Sequence, residues 1–257
     1  MLEQQKFIRV MYNELFKIIQ KNIAKLQLKN DSSSNTYNNR IALQLLEKSL
    51  DKACANLIVN LRTLILQDMN QVCIAVVDEV ESETDIELGK KSLIEDVMSA
   101  VILGTIYNTN WKLSSALQKI LESNEDIVYD IIEQGMAEGK TAEEIAEEIL
   151  NVLDPNSNQQ QRSYTKDHKT LYVGRPDYQA HRLAKTTLQH TYQSIIVNTA
   201  KMVSAVTSHK VMIRWISAMA PNTCQVCESR HLNLYTPDDL PLDHPNGQCT
   251  FEIEIYD

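Results

Sequence analysis

A chain of 257 residues with 43% apolar residues has enough material for one large domain or two modest ones with a real core. Its net charge of -9 makes it a poor candidate for coating nucleic acid, where phosphate neutralisation needs a basic surface. Only six glycines and six prolines point to long helices with few tight turns.

The first stretch carries one apolar stripe at helical spacing: Ile8, Met11, Tyr12, Leu15, Ile19, Ile23 and Leu26. "KNDSSSNTYNNR" (29–40) breaks the pattern with small polar residues and reads as an exposed loop. Helix resumes at Ile41, with Leu43, Leu46, Leu50, Leu57, Leu61 and Leu64 in period, as one long helix or two joined near Asp68–Asn70. The acidic stretch 81–92, with Gly89, marks a connection. Helix returns until Gly104 and "YNTNW" end it. "KLSSALQKILESNEDIVYDIIEQGMAEG" reads as two helical segments closed by Gly139. Thr141 and Glu144 then form a capping box for a helix that stops at Asp154-Pro155.

Residues 154–178 are the longest weakly patterned stretch and read as a flexible arm, loop or linker. An amphipathic helix follows, with Leu188, Tyr192, Ile195, Ile196, Thr199, Met202, Val203 and Val206 as its stripe. Then the character changes. "VMIRWISA" and "TFEIEIYD" alternate faces and read as an antiparallel pair, with Phe251, Ile253 and Ile255 on one side. The expected architecture is mainly α. A multi-helix region spans 1–153, and a C-terminal α+β lobe at 179–257 combines a long helix with a β hairpin. No apolar run reaches the roughly eighteen residues of a membrane span, and the first twenty residues lack the apolar core of a signal peptide. The expectation is a reducing cytoplasm with no membrane partner.

Three of the five cysteines lie in the insertion between the two strands. Cys224 and Cys227 form a Cys-x-x-Cys, sixteen residues separate Cys227 from His244, and four separate His244 from Cys249. Two thiolates from one tight turn and two ligands from a second turn suit tetrahedral zinc, and four protein ligands leave no open position. Two other readings stand beside this one. The cysteines can be core residues of a small hairpin, since free cysteine is often buried. They can also be a redox pair, although "ESRHLNLYTPDDLP" carries no helical pattern after the second cysteine. His231 is a rival ligand and reads as an exposed loop residue. His181, His190 and His209 read as surface residues, and Glu143, Glu144, Glu147 and Glu148 as a solvated helix face. Cys54 and Cys73 read as core, and Trp111 and Trp215 as packing anchors.

Taken together, "IRWISAMAPNTCQVCESRHLNLYTPDDLPLDHPNGQC" resembles the C-terminal motif of phage Mu F-like head-morphogenesis (minor head, or minor capsid) proteins. The matching residues are Trp215, Thr223, Cys224, Cys227, Pro241, His244, Pro245 and Cys249. "HRLAKTTLQHTYQ" is similar to the helix that precedes that motif, and the resemblance covers about residues 106–257. Many members carry Cys-Arg-Cys after His-Pro, where this chain has Gly247-Gln248-Cys249. The family's Arg-Thr-Glu is Lys185-Thr186-Thr187 here.

The resemblance implies assembly rather than catalysis. It implies a minor component of the procapsid or virion, made in the host cytoplasm and associated with portal and with major capsid or scaffolding protein. DNA is a secondary partner, and no small-molecule substrate is implied. Residues 1–153 would dock to portal or capsid, and 179–257 would be the Mu F-like lobe, stapled by a structural zinc on Cys224, Cys227, His244 and Cys249. Two alternatives are a metal-dependent hydrolase or phage-linked effector enzyme, and a nucleic-acid-binding zinc knuckle.

Overall fold

The computed structural model describes all residues except 1, 28–35, 108, 155–160, 165–169, 175–176, 220–222 and 257. The chain is mostly helical, with a small three-stranded antiparallel sheet near its C-terminus. The described residues form seven helices and five strands. They make two compact units, each built from two separated segments: 1–62 with 116–181, and 63–115 with 182–257.

The first unit contains α1 (Leu2–Gln27), the beginning of α2 (Thr36–Thr84), most of α4 (Leu113–Ala137) and α5 (Ala142–Leu153). Ile8, Tyr12, Leu15 and Ile19 recur every three or four residues along α1 and are buried, and α1 packs on α5. Glycine at 135 permits close approach of α4 and α5, because a Cβ there would lie 2.5 Å from Ile145 Cγ1. The capping box at the start of α5 is present: the Thr141 hydroxyl accepts from Glu144 N, and Thr141 N donates to the Glu144 carboxylate at 2.7 Å. Gly139, at φ +74°, provides the left-handed stop before it.

Three segments differ from the periodicity reading. Helix α2 begins at Thr36, inside the stretch read as a loop, while 29–35 of that stretch lie outside the described residues. It also runs unbroken through Asp68–Asn70, because its buried stripe continues in step at Leu61, Ile65, Met69 and Cys73. Helix α4 is one helix, not two, since Leu117, Ile120, Val128 and Ile132 hold a single buried face. Within 154–178, β1 (Gln161–Tyr164) and β2 (Thr170–Gly174) pair antiparallel. The remainder of the flexible-arm reading falls largely on residues outside the described ones.

The second unit contains the rest of α2, α3 (Lys90–Leu103), most of α6 (Tyr178–Thr207) and the sheet. Gly104 ends α3 at φ +75°, and a Cβ there would lie 1.7 Å from the Trp111 carbonyl, so the connection folds tightly back on it. The sheet order is β4-β3-β5, with β3 (Lys210–Ile216) in the centre, β5 (Thr250–Tyr256) on one side and β4 (Leu234–Tyr235) on the other. The expected hairpin is therefore a three-stranded sheet, and the two-residue β4 is too short to show alternation.

The register pairs Trp215 with Phe251 and Ile213 with Ile253. Their rings meet edge to face at 5.0 Å between Trp215 and Phe251, and the Arg230 guanidinium lies 4.9 Å over the indole. Arg214 pairs with Glu254 on the opposite face. The apolar side of the sheet shares one core with Val77, Val97, Ile195 and Val203 from the helices. Met202 and Val206, assigned to the buried stripe of α6, are exposed, while Thr187, His190 and Thr191 are buried in their place.

Candidate metal centre

The insertion between β3 and β5 carries Cys224, Cys227, Asp243, His244 and Cys249. Residues Gln225–Arg230 form α7, a six-residue helix where the sequence showed no helical pattern. Cys224 is its N-cap, and its sulfur accepts from Cys227 N at 3.4 Å. That bond, with the neighbouring Cys227 side chain and His244, lowers the pKa of the Cys224 thiol. Cys227 points inward. Burial, and then the Cys249 and Cys224 sulfurs, push its pKa well up.

Ser217, at the end of β3, clamps α7 from below. Its hydroxyl donates to the Cys227 carbonyl, and its N–H donates to His231 Nδ1 at 3.2 Å. His231 is therefore a half-buried acceptor at the end of α7, not an exposed loop residue, and it belongs to no ligand group among the described residues.

His244 opens a four-residue turn. Gly247 N donates to the His244 carbonyl at 2.9 Å, Pro245 and Asn246 occupy the middle positions, and Asn246 has φ +64°. Proline then a left-handed asparagine is the arrangement of a type II turn. The turn fixes the imidazole. His244 Nδ1 donates to the Pro245 carbonyl at 3.0 Å, which leaves the Nε2 lone pair 3.4 Å from Cys224 Sγ and 3.2 Å from Cys227 Sγ. A ring nitrogen tied to a carbonyl with its partner nitrogen free among thiols is how a metal-ligating histidine is prepared. Bonding to Pro245 also raises the pKa of His244, with Asp243 adding to the effect.

Two overlapping groups of ligand atoms result among the described residues. Cys224, Cys227 and His244 lie within 4.8 Å of one another, and so do Cys227, Asp243 and Cys249. Either group can hold a metal ion, and Cys227 belongs to both. All four residues picked out by spacing thus converge at one place, though Cys249 joins through Cys227. Sequence reasoning missed Asp243, which is buried to 2% exposure with its Oδ1 3.8 Å from Cys227 Sγ. Its carboxylate fills the space beside Gly247, where a Cβ would lie 2.0 Å from Asp243 Oδ2. The cluster opens to solvent through a cleft lined by Ala218, Thr223, Cys224, His244, Asn246 and Gln248.

The donor set fits a thiophilic ion such as zinc, because it offers clustered thiols and an oriented imidazole. The presence of α7 removes one argument against a redox pair. The fold around it still differs from a redox Cys-x-x-Cys, since the preceding strand lies in an antiparallel sheet rather than a βαβ unit.

The other candidates sort differently. His190 is buried at 3% exposure rather than on the surface, because it forms part of the wall against the 241–249 loop. His181 bonds Asp177 at 2.8 Å, and His209 is exposed. Cys54 and Cys73 are buried as expected. Glu144 caps α5 and Glu148 pairs with Lys140. Trp215 is fully buried, and Trp111 packs edge to face on Tyr107 at 4.7 Å. No described helix is long and apolar enough to cross a membrane. Comparison with protein-family models, with curated proteins and with solved structures finds no match to this chain.

Proposed function

We propose that the chain is a minor head protein of a tailed phage or prophage, non-catalytic, whose C-terminal lobe is stapled by one structural zinc. The observation that carries this reading is the convergence of the motif residues. Trp215 lies in the core of the sheet, and Cys224, Cys227, His244 and Cys249 meet in the insertion that the sheet supports. A metal held there would add its binding free energy to the folding of the insertion. In this reading the ligands are Cys224, Cys227, His244 and Cys249, and the helices present the docking surface to portal and to coat or scaffolding protein. The protein would work in procapsid assembly in the host cytoplasm and remain in the virion head. The acidic balance of the chain keeps DNA a secondary partner.

The test is co-expression with the portal protein encoded in the same genome, followed by size-exclusion chromatography. Co-elution as one complex, kept in Cys224→Ser because residues 1–153 carry the docking surface, is the expected result. Separate elution of two well-folded proteins, with no complex at micromolar concentration, would count against the assembly role.

A further inference from the structure

A polar face of α6, buried at His190 and Gln193 and half-buried at Thr186 and Gln189, stands apart from the apolar core. Thr186, Gln189, His190 and Gln193 recur at helical spacing and all bond to the loop that carries His244 and Cys249. Gln189 Nε2 donates to Asp243 Oδ2 at 3.1 Å and to the Cys249 carbonyl at 2.6 Å. His190 Nε2 donates to the Asp243 carbonyl at 2.9 Å, and Asp243 N donates to Gln193 Oε1 at 2.8 Å. Asp243 Oδ1 in turn accepts from His244 N at 2.8 Å. Every polar group of Asp243, backbone and side chain, is thereby engaged, and the residue lies between α6 and three ligands.

The support extends one step further back. A carbonyl only accepts, so His190 carries its proton on Nε2, and Nδ1 accepts the Tyr107 hydroxyl proton at 2.7 Å. Tyr107 is held in turn by the tight connection at Gly104 and by the Trp111 ring.

We propose that Gln189, His190 and Tyr107 form the positioning shell of the metal centre and act on it through Asp243. This rests on the zinc reading above. The shell fixes the 241–249 loop before metal arrives, so ligand geometry is set by α6 rather than by the ion. Outer partners of this kind alter metal affinity by about ten- to a hundred-fold when removed. Gly247 belongs to the same device, since any larger side chain there displaces the Asp243 carboxylate.

The experiment uses the full chain and zinc titration in competition with a chromophoric chelator. Gln189→Met keeps the length of the side chain and removes its donors, and Asp243→Asn keeps its shape and removes its charge. Both should bind zinc about ten- to a hundred-fold more weakly, with a changed cobalt(II) absorption spectrum. Tyr107→Phe should lose less, in the same direction. Exposed Met202→Ala should match the wild type. The melting temperature of each metal-free variant should stay near that of metal-free wild type, which separates positioning from general destabilisation.

Wild-type affinity and an unchanged cobalt spectrum in both Gln189→Met and Asp243→Asn would overturn the proposal, as would a loss confined to melting temperature. If the wild-type chain itself takes up no zinc, the zinc reading fails first, and that result is visible before any variant is made.

Discussion

Helix α2 and the insertion between β3 and β5 both bury cysteine, for different reasons. On α2, Cys54 and Cys73 occupy buried stripe positions, and burial pushes both thiols up to about 12, with the Glu125 and Asp51 carboxylates adding to the effect at Cys54. They act as small hydrophobes. In the insertion, Cys227 is as deeply buried, but its neighbours are Cys249, Cys224, His244 and the Asp243 carboxylate. Neither α2 sulfur belongs to a group of ligand atoms among the described residues, whereas Cys227 belongs to two. Burial alone therefore does not mark a ligand cysteine; the chemistry of its neighbours does.

Replacing Cys227 by Ser should have the largest effect. Zinc content should fall from one per chain to near zero, and hydrogen exchange should show amides of α7 losing protection while those of the 241–249 loop stay held by α6. The α1–α5 packing should keep its protection in the same experiment, because its stripes need no metal. Removal of zinc by a strong chelator should reproduce that pattern in the wild type.

Trp215→Ala tests whether the sheet carries the metal loop. It should cost about 3–5 kcal/mol in denaturant unfolding of the second unit and weaken zinc uptake with it. Gly135→Ala probes the other region. The new Cβ meets Ile145, so a loss of roughly 1–3 kcal/mol is expected, read by chemical denaturation, with zinc stoichiometry unchanged. Thr141→Ala should be smallest. Loss of the capping box at α5 should cost about 1 kcal/mol by thermal melting, again without effect on zinc.

Much of the local punctuation was legible in sequence. Gly104 and Gly139 end helices where their freedom at positive φ predicts it, and Thr141 with Glu144 starts one. The alternation of "TFEIEIYD" and "VMIRWISA" gave the β3–β5 pair. Missed elements were those without a periodic signal. Helix α7 has six residues and β4 two, too few to show a period. The continuity of α2 was hidden because Asp68 and Asn70 weaken helix propensity without interrupting the buried stripe beside them.

His190 shows a deeper limit. Polar residues on an amphipathic helix are assigned to solvent by default, so His190 reads as a surface residue and Thr186, Gln189 and Gln193 raise no site. Their spacing was the available signal, since four hydrogen-bonding residues at steps of three, one and three form a face of their own. What sequence does not hold is the loop that face meets, which arrives about fifty residues later. The Asp243 carboxylate escaped notice for the same reason, because its meaning comes from Gly247 and α6 rather than from a motif.

The central claim is that Cys224, Cys227, His244 and Cys249 close around a single zinc. Elemental analysis of the purified chain, combined with X-ray absorption at the zinc edge, tests it most directly. One zinc per chain, with sulfur and nitrogen ligands from the protein filling four positions, is the predicted result. A fully folded lobe with no metal and a Cys224–Cys227 disulfide would contradict it.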